Sequence, residues 1–511
     1  MTVTASNNVG ANVQVYSDID DTWTGQSTET TWNLDRSNDT AMFTLTATDA
    51  YTYSENSKDQ ALWGDVIFAS RPNGSTMSTQ SGDPDVVRKS FTANGTLTGA
   101  LPNWKKGRVV GIAHELGAVK GNASVTFAIG YVRQQAINYM GNSYTGYYRM
   151  RHPSTLSAIS YFLEDYDDAK AESLRMDYEV SSKAIQVAGQ KYSDIVTLSL
   201  RQAYGGIDLV IPEDTLNTNG LLAFVKEISS DGNVNTVDII FPSLPLYYAM
   251  EPEYIRLLIE PVLQYLASGR WHLPYVIHDI GRNYPNATGH DDQRAEPMPI
   301  EETGNLLQLV FAFAVASGNW EWAAKYIPLL KHYADYLVKN SLDISKQLST
   351  NDAAGPLTNE TNLAIKAAVG LKAFGKLASL SNYSDIGDQH AHILYQGGLG
   401  TDADKTHFTL QYPDKDSTYK VIFNLYPDLL LNLSTFPQSA YDMESSYYPT
   451  IRKQGGVALD NRQWVVNISS LLSSPSLLFP VYSHVLTYSQ FFSHTAPILR
   501  LLLRLAQCRN C

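Results

Sequence analysis

Residues Trp271–Asn305 read WHLPYVIHDIGRNYPNATGHDDQRAEPMPIEETGN. The segment gathers His278, Asp279, His290, Asp291, Asp292, Glu296, Glu301 and Glu302 among glycines and prolines, in a chain with only 17% charged residues. Both sides of it read as helices. A connection this long without periodicity, inside a compact region, is functional or disordered. Its Trp, Tyr, Met and Pro content argues against disorder. The plain alternative is a solvated acidic loop; the sharper expectation is the floor or rim of an active site.

Working outward, the flanks carry helical periodicity. Helices are expected at Glu253–Ser268, Ile300–Ser317, Trp320–Lys339 and Asn359–Leu380. Trp322, Tyr326, Leu329, Leu330, Tyr333 and Leu337 mark one face of the third. Short connections between such helices imply antiparallel hairpins, and with no fixed-period repeat a closed helical toroid is favoured over a solenoid. The helical period begins after Pro153, where Leu156, Ile159, Phe162 and Leu163 are spaced for one buried face. Before Pro153 the pattern is β. Ala123–Arg133 alternates Val125, Phe127, Ile129 and Tyr131, and similar runs occur at Ala41–Ala47, Ala61–Ser70 and Arg108–His114. Turn formers separate them, which suggests an antiparallel sandwich. His114 and Glu115, adjacent in a strand-rich region, read as structural.

At 511 residues the chain is too long for one ordinary core. A net charge of −13 argues against a nucleic-acid or anionic-membrane surface, and no apolar run is long enough to span a bilayer. Nine Asn-x-Ser/Thr triplets, among them Asn73, Asn94, Asn286 and Asn432, suit a secreted glycoprotein. The opening MTVTASNNVG has neither a basic region nor an apolar core, so no signal peptide is read there. The two cysteines, Cys508 and Cys511, form a terminal C-x-x-C without a redox context.

Three connections carry unusual chemistry: Phe224–Asp238, Trp271–Asn305, and Gln347–Gly355 leading through Asn359 and Asn362 to Lys366. The last three residues are at helical spacing and could share a face. The segments FVKEISSDGNVNTVDIIFPSLP, HDIGRNYPNATGH with EPMPIEETGN, and QLSTNDAAG with TNLAIKA resemble the fungal glutaminase A family. That resemblance spans about residues 13 to 463. It implies an N-terminal β-sandwich followed by a six-hairpin (α/α)6 toroid, similar to those of six-hairpin glycosidases, in a secreted class that hydrolyses the side-chain amide of glutamine. The expected domains are a sandwich at 1–153, lacking its earlier strands, a toroid at 154–463, and an atypical tail at 464–511. The tail, from Trp464 onward, is low in acid and rich in Ser, Leu and Phe. It reads like a frameshift or retained intron that leaves the toroid incomplete, the alternative being a real amphipathic tail.

Amide and glycoside hydrolysis both use two carboxylates, one protonated and one ionised. Glu296, Asp231 and Asp352 are the expected catalytic residues, converging from different loops. Asp238, His278, Asp279, His290, Asp292, Glu302, Asn359, Asn362 and Lys366 are the expected substrate-binding residues. Glu301, in the first turn of a helix, reads as a dipole partner. No G-x-S-x-G elbow occurs. Ser417–Lys420 forms a Ser-x-x-Lys, the type used by an unrelated group of glutaminases, in a polar turn-like stretch. The spacing of His278, Asp279, His290 and Asp291 matches no zinc signature, so no metal and no cofactor are expected. The expected partner is a small molecule, glutamine or a sugar. The alternatives to a glutaminase are a six-hairpin glycosidase, with Trp271, Tyr275 and Tyr284 as stacking platforms, and an inactive fragment.

Overall fold

The computed structural model describes residues 1–462 apart from 5–9, 26–29, 38, 57–60, 100–106, 229–231, 351, 414–417 and 454–455. Two compact units divide the chain: Met1–Asp177 with Val210–Leu221, and Tyr178–Leu209 with Leu222–Cys511. The helical period does begin at Pro153, with a helix at Thr155–Glu164. That helix nevertheless packs Leu156, Ile159 and Leu163 on the sheet residues Met42, Ile67 and Ala69. Phe162, expected on the same face, is exposed. The compact division therefore falls later than the change of period.

The first unit is an antiparallel sandwich. One sheet orders Ala11–Asp20, Val109–Val119 and Thr76–Gly82; the other orders Thr30–Ser37, Thr40–Ala47, Asp65–Ser70 and Phe127–Val132. Alternation aims Phe43, Leu45, Val66 and Phe68 of the second sheet at Ile19, Val110 and Ile112 of the first. Each such side chain contributes about 1.5–3 kcal/mol by leaving water. The expected face of Ala123–Arg133 is only half realised: Val125 is buried, whereas Ile129 and Tyr131 are exposed. Phe127–Val132 is an edge strand, so the cover thins along it. A helix at Pro84–Asn94 interrupts the β pattern; Asp83 caps it, Pro84 opens it and left-handed Gly95 closes it.

In the second unit the expected helices are present at Glu253–Ala267, Pro299–Ser317 and Thr361–Ala378, while the third is broken into Trp320–Ala324 and Ile327–Asn340. Pro299–Ser317 and Thr361–Ala378 are buried on nearly every face, and Ile327–Asn340 and Ser381–Leu394 only on one. This is the alternation of an inner and an outer layer of helical hairpins. The two inner helices approach closely at Gly304 and Gly370: a Cβ on Gly304 would lie 2.5 Å from Lys366 Cγ, and one on Gly370 would lie 3.2 Å from Gly304 Cα. The tail 464–511 lies outside the described residues.

Candidate active site

The site is assembled where backbone pairing aligns two of the three connections. Val234 N–H donates to Gly281 O, Ile280 N–H to Val234 O and Val237 N–H to His278 O, at 2.8–3.0 Å. Buried Asn235 pins the first segment, donating to Ala223 O and Leu258 O and accepting from Val225 N–H. Asp238 is thereby set beside His278. The third connection joins through Gln347, whose Oε1 accepts from Ile300 N–H, and Thr350, whose hydroxyl donates to Asp238 at 3.1 Å.

His278 is the hub. Its Nδ1 lies 3.0 Å from Asp279 Oδ2, and its Nε2 lies 3.6 Å from Asp238 Oδ1 and 3.9 Å from Glu296 Oε2. Burial works against a charge on the imidazole. The hydrogen bond to Asp279 and the charges of Asp238 and Glu302 outweigh it, holding His278 well above its ordinary value. Asp279 also accepts from Gly281 N–H at 2.8 Å and from His290 Nε2 at 2.6 Å. Burial would raise its carboxyl, but the hydrogen bonds from His278 and then His290 keep it low. His290 is fixed in turn by its backbone N–H on Tyr265 Oη, 2.8 Å away. Left-handed Gly289 (φ +83°) permits that contact, because a Cβ there would strike the tyrosine ring.

The remaining acids are pushed the other way. Burial raises the Asp238 carboxyl to about 6, with Glu301 and Glu227 adding to it and His278 opposing. Glu302, fully buried and accepting from Asn305 Nδ2 at 3.1 Å, is raised well above the usual carboxylate range by burial and then by Asp238. Glu296 keeps 35% of its side chain exposed, which makes it the member of the cluster that solvent or substrate reaches.

Glu301 is more than a dipole partner. It is fully buried and pairs with Lys366 Nζ at 2.5 Å, while Lys366 also contacts Asn305 Oδ1 and lies 4.0 Å over the Phe241 ring. A second buried pair, Lys420 with Glu360 at 2.8 Å, leaves the Lys of the Ser-x-x-Lys pattern engaged in the interior. Ser417 lies outside the described residues, as does Asp231.

Other expected site residues lie apart from the hub. Asp352 is exposed on a short 3-10 turn, its carboxylate accepting from Ala353 N–H at 2.6 Å. Asp292 is exposed and paired with Arg282 at 2.7 Å; both line a 280 Å³ surface depression with Asn286 and Asp291. Asn359 precedes the helix instead of sharing its face: it is left-handed (φ +49°), and its Oδ1 accepts from Ile344 N–H. Asn362 is buried and accepts from Asn424 N–H. Thr350, in QLSTNDAAG, and Asn305, at the end of EPMPIEETGN, lie in the segments singled out above without themselves being expected in the site.

A family model described as the Glutaminase A six helical-hairpin domain matches residues 189–472, and one described as a domain of unknown function (DUF5127) matches residues 1–183. The first match runs on past Gln463, where the family pattern had been expected to stop. This chain belongs to the glutaminase A family, with an N-terminal antiparallel β-sheet region followed by a helical six-hairpin domain. Glutaminase A of Aspergillus oryzae is 34% identical over 475 residues, covering 88% of this chain and 67% of that protein. A protein of Arthroderma benhamiae named probable glutaminase is 26% identical over 611 residues, covering 95% and 69%. Among solved structures, a bacterial glucoamylase complexed with acarbose aligns with 76% of this chain and 59% of its own at 11% identity and a TM-score of 0.33. No helix among the described residues is long and apolar enough to cross a membrane.

Proposed function

We propose that this chain hydrolyses the side-chain amide of glutamine to glutamate and ammonia, at the cluster of His278, Asp238, Glu302 and Glu296, and that it does so outside the cell. The observation that carries this is a half-exposed carboxylate, Glu296, beside a buried imidazole held positive by Asp279. In the proposed step Glu296 accepts a proton from water as the water oxygen bonds to the amide carbon. The positive charge at His278 stabilises the oxyanion that forms. The C–N bond then breaks as Glu296 returns the proton to nitrogen, and ammonia leaves. The family membership and the glutaminase names of two relatives support the substrate. The density of glycosylation triplets supports the compartment.

The glycosidase alternative gains little from the aromatics. Trp271 and Tyr284 are buried, and Tyr275 packs against Trp271 and Tyr336, so none is a free stacking platform. Ammonia release from glutamine, run beside reducing-sugar release from a glycan panel, tests the assignment. Ammonia release without sugar release is expected; the reverse would overturn it.

A further inference from the structure

Three potential ligand atoms meet at the hub. One atom each from Asp238, His278 and Glu302 lie within 4.8 Å of one another, and all three residues are buried. Two independent observations go beyond this proximity. Asp238 Oδ1 and Glu302 Oε1 have no hydrogen-bond partner among the described residues, although Asp238 is 6% and Glu302 0% exposed. Buried carboxylate oxygens are ordinarily satisfied, and an unsatisfied one points to a missing partner. The second observation is the orientation of His278. Its Nδ1 faces the Asp279 carboxylate at 3.0 Å. That leaves Nε2 turned toward Asp238. A carboxylate behind the imidazole, itself held by Gly281 N–H and His290, is the support that metal-ligating histidines receive.

We propose that Asp238, His278 and Glu302 bind one divalent transition-metal cation, with its open coordination positions toward Glu296. No local spacing betrays the set: Asp238 comes from one connection, and His278 and Glu302 stand far apart within the Trp271–Asn305 segment. An imidazole beside two carboxylates suits Zn²⁺ or Mn²⁺ better than Ca²⁺ or Mg²⁺. Three protein ligands with a vacant position are the makeup of a catalytic rather than a structural site. A cation there would take the place of the Nε2 proton. The positive charge that His278 otherwise offers the oxyanion would then come from the metal, which would polarise an amide oxygen or an attacking water. The inference deepens the proposed hydrolysis and rests on it only for the site being catalytic; the binding itself is separately measurable.

The test uses the full chain carrying Cys508→Ser and Cys511→Ser, which removes the terminal thiols as rival ligands. After chelator treatment, Zn²⁺, Mn²⁺ and Ca²⁺ are titrated separately by calorimetry, and bound metal is counted after gel filtration. One Zn²⁺ or Mn²⁺ per chain is expected, with a thermal midpoint that rises with free metal. Asp279→Asn should weaken affinity about 10–100-fold, and Glu302→Gln at least as much. Glu444→Gln, which alters a buried carboxylate elsewhere, should leave it unchanged. Should Glu302→Gln fail to fold, the visible spectrum of the Co²⁺-loaded parent decides: bands of a nitrogen and oxygen ligand set support the site, and the spectrum of free aqueous Co²⁺ overturns it. Absence of stoichiometric binding, a preference for Ca²⁺, or undiminished affinity in a folded Glu302→Gln also overturns it. A chelated chain that binds no cation yet releases ammonia sinks this inference alone. Full activity in Glu296→Gln sinks the hydrolysis proposal, whatever the metal result.

Discussion

The two compact units treat buried charge in opposite ways. In the sandwich, His114 is the only Asp, Glu, His, Lys or Arg buried among the described residues. Its two ring nitrogens meet the hydroxyls of Ser70 and Ser75 at 2.8 Å, and burial pushes it down to about 4, so it is neutral. The helical unit buries Asp238, His278, Asp279, Glu301, Glu302, Lys366, Glu360 and Lys420, among others. A core needs none of these, since apolar residues of similar volume pack as well or better than a buried ion pair. The contrast supports placing the proposed chemistry in the second unit.

The comparison can be attacked by mutation. The largest stability effect is expected at Lys366. Lys366→Met leaves Glu301 buried without its cation and should destabilise the helical unit by about 3–5 kcal/mol. Glu301→Gln in the same chain should restore part of the loss, measured by denaturant unfolding. Additive losses would show that the pair is not coupled.

One buried group in each unit should also answer pH with opposite signs. His114 has a folded value below its unfolded one, so its contribution is present above about 6.5 and is lost as pH falls toward about 4. The stability gap between wild type and His114→Leu should shift by roughly 3 kcal/mol across that window, against the wild type at the acid end. Glu444 is the reverse. It is fully buried, accepts from Phe408 N–H at 2.7 Å, and is raised by burial to about 7. Its contribution is present below about 4.5 and is lost as pH rises through about 7. Glu444→Gln should therefore gain on the wild type between those limits, by a similar amount. Trends of the same sign in both variants would break the contrast. The smallest effect belongs to Asp292→Asn, an exposed partner of Arg282, which should leave both stability and turnover near wild type.

How much of this was legible in the sequence follows from the range of each interaction. Periodicity marked four of the seven strands of the two sheets, missing Ala11–Asp20, Thr30–Ser37 and Thr76–Gly82, and it marked the inner helices, because their burial is set by neighbours in the chain. The Trp271–Asn305 segment surrendered His278, Asp279, His290, Glu296 and Glu302 because it carries them together. Asp238 was placed among the substrate ligands from its own segment. The failures are of two kinds. Local bonds took some polar residues out of use: Asp352 turned to Ala353 N–H and Asn359 to Ile344 N–H, where loop or helical geometry had been expected to aim them at a pocket. Distant pairings were invisible: Glu301 with Lys366, Glu360 with Lys420, and Thr350 with Asp238 each join residues far apart in the chain. The Pro84–Asn94 helix was missed although Asp83, Pro84 and Gly95 are ordinary start and stop signals.

The most direct measurement sets Glu296→Gln beside Asp352→Asn in ammonia release from glutamine, with circular dichroism confirming both folds. One carboxylate lies 3.9 Å from His278, and the other is exposed on a turn and held by its neighbour's N–H. Glu296→Gln should lose about 10²–10⁴-fold in turnover, while Asp352→Asn stays within about twofold of wild type, as exposed positions away from such features do. Near-normal turnover in Glu296→Gln, or a comparable loss in Asp352→Asn, would contradict the placement of catalysis at the His278 cluster.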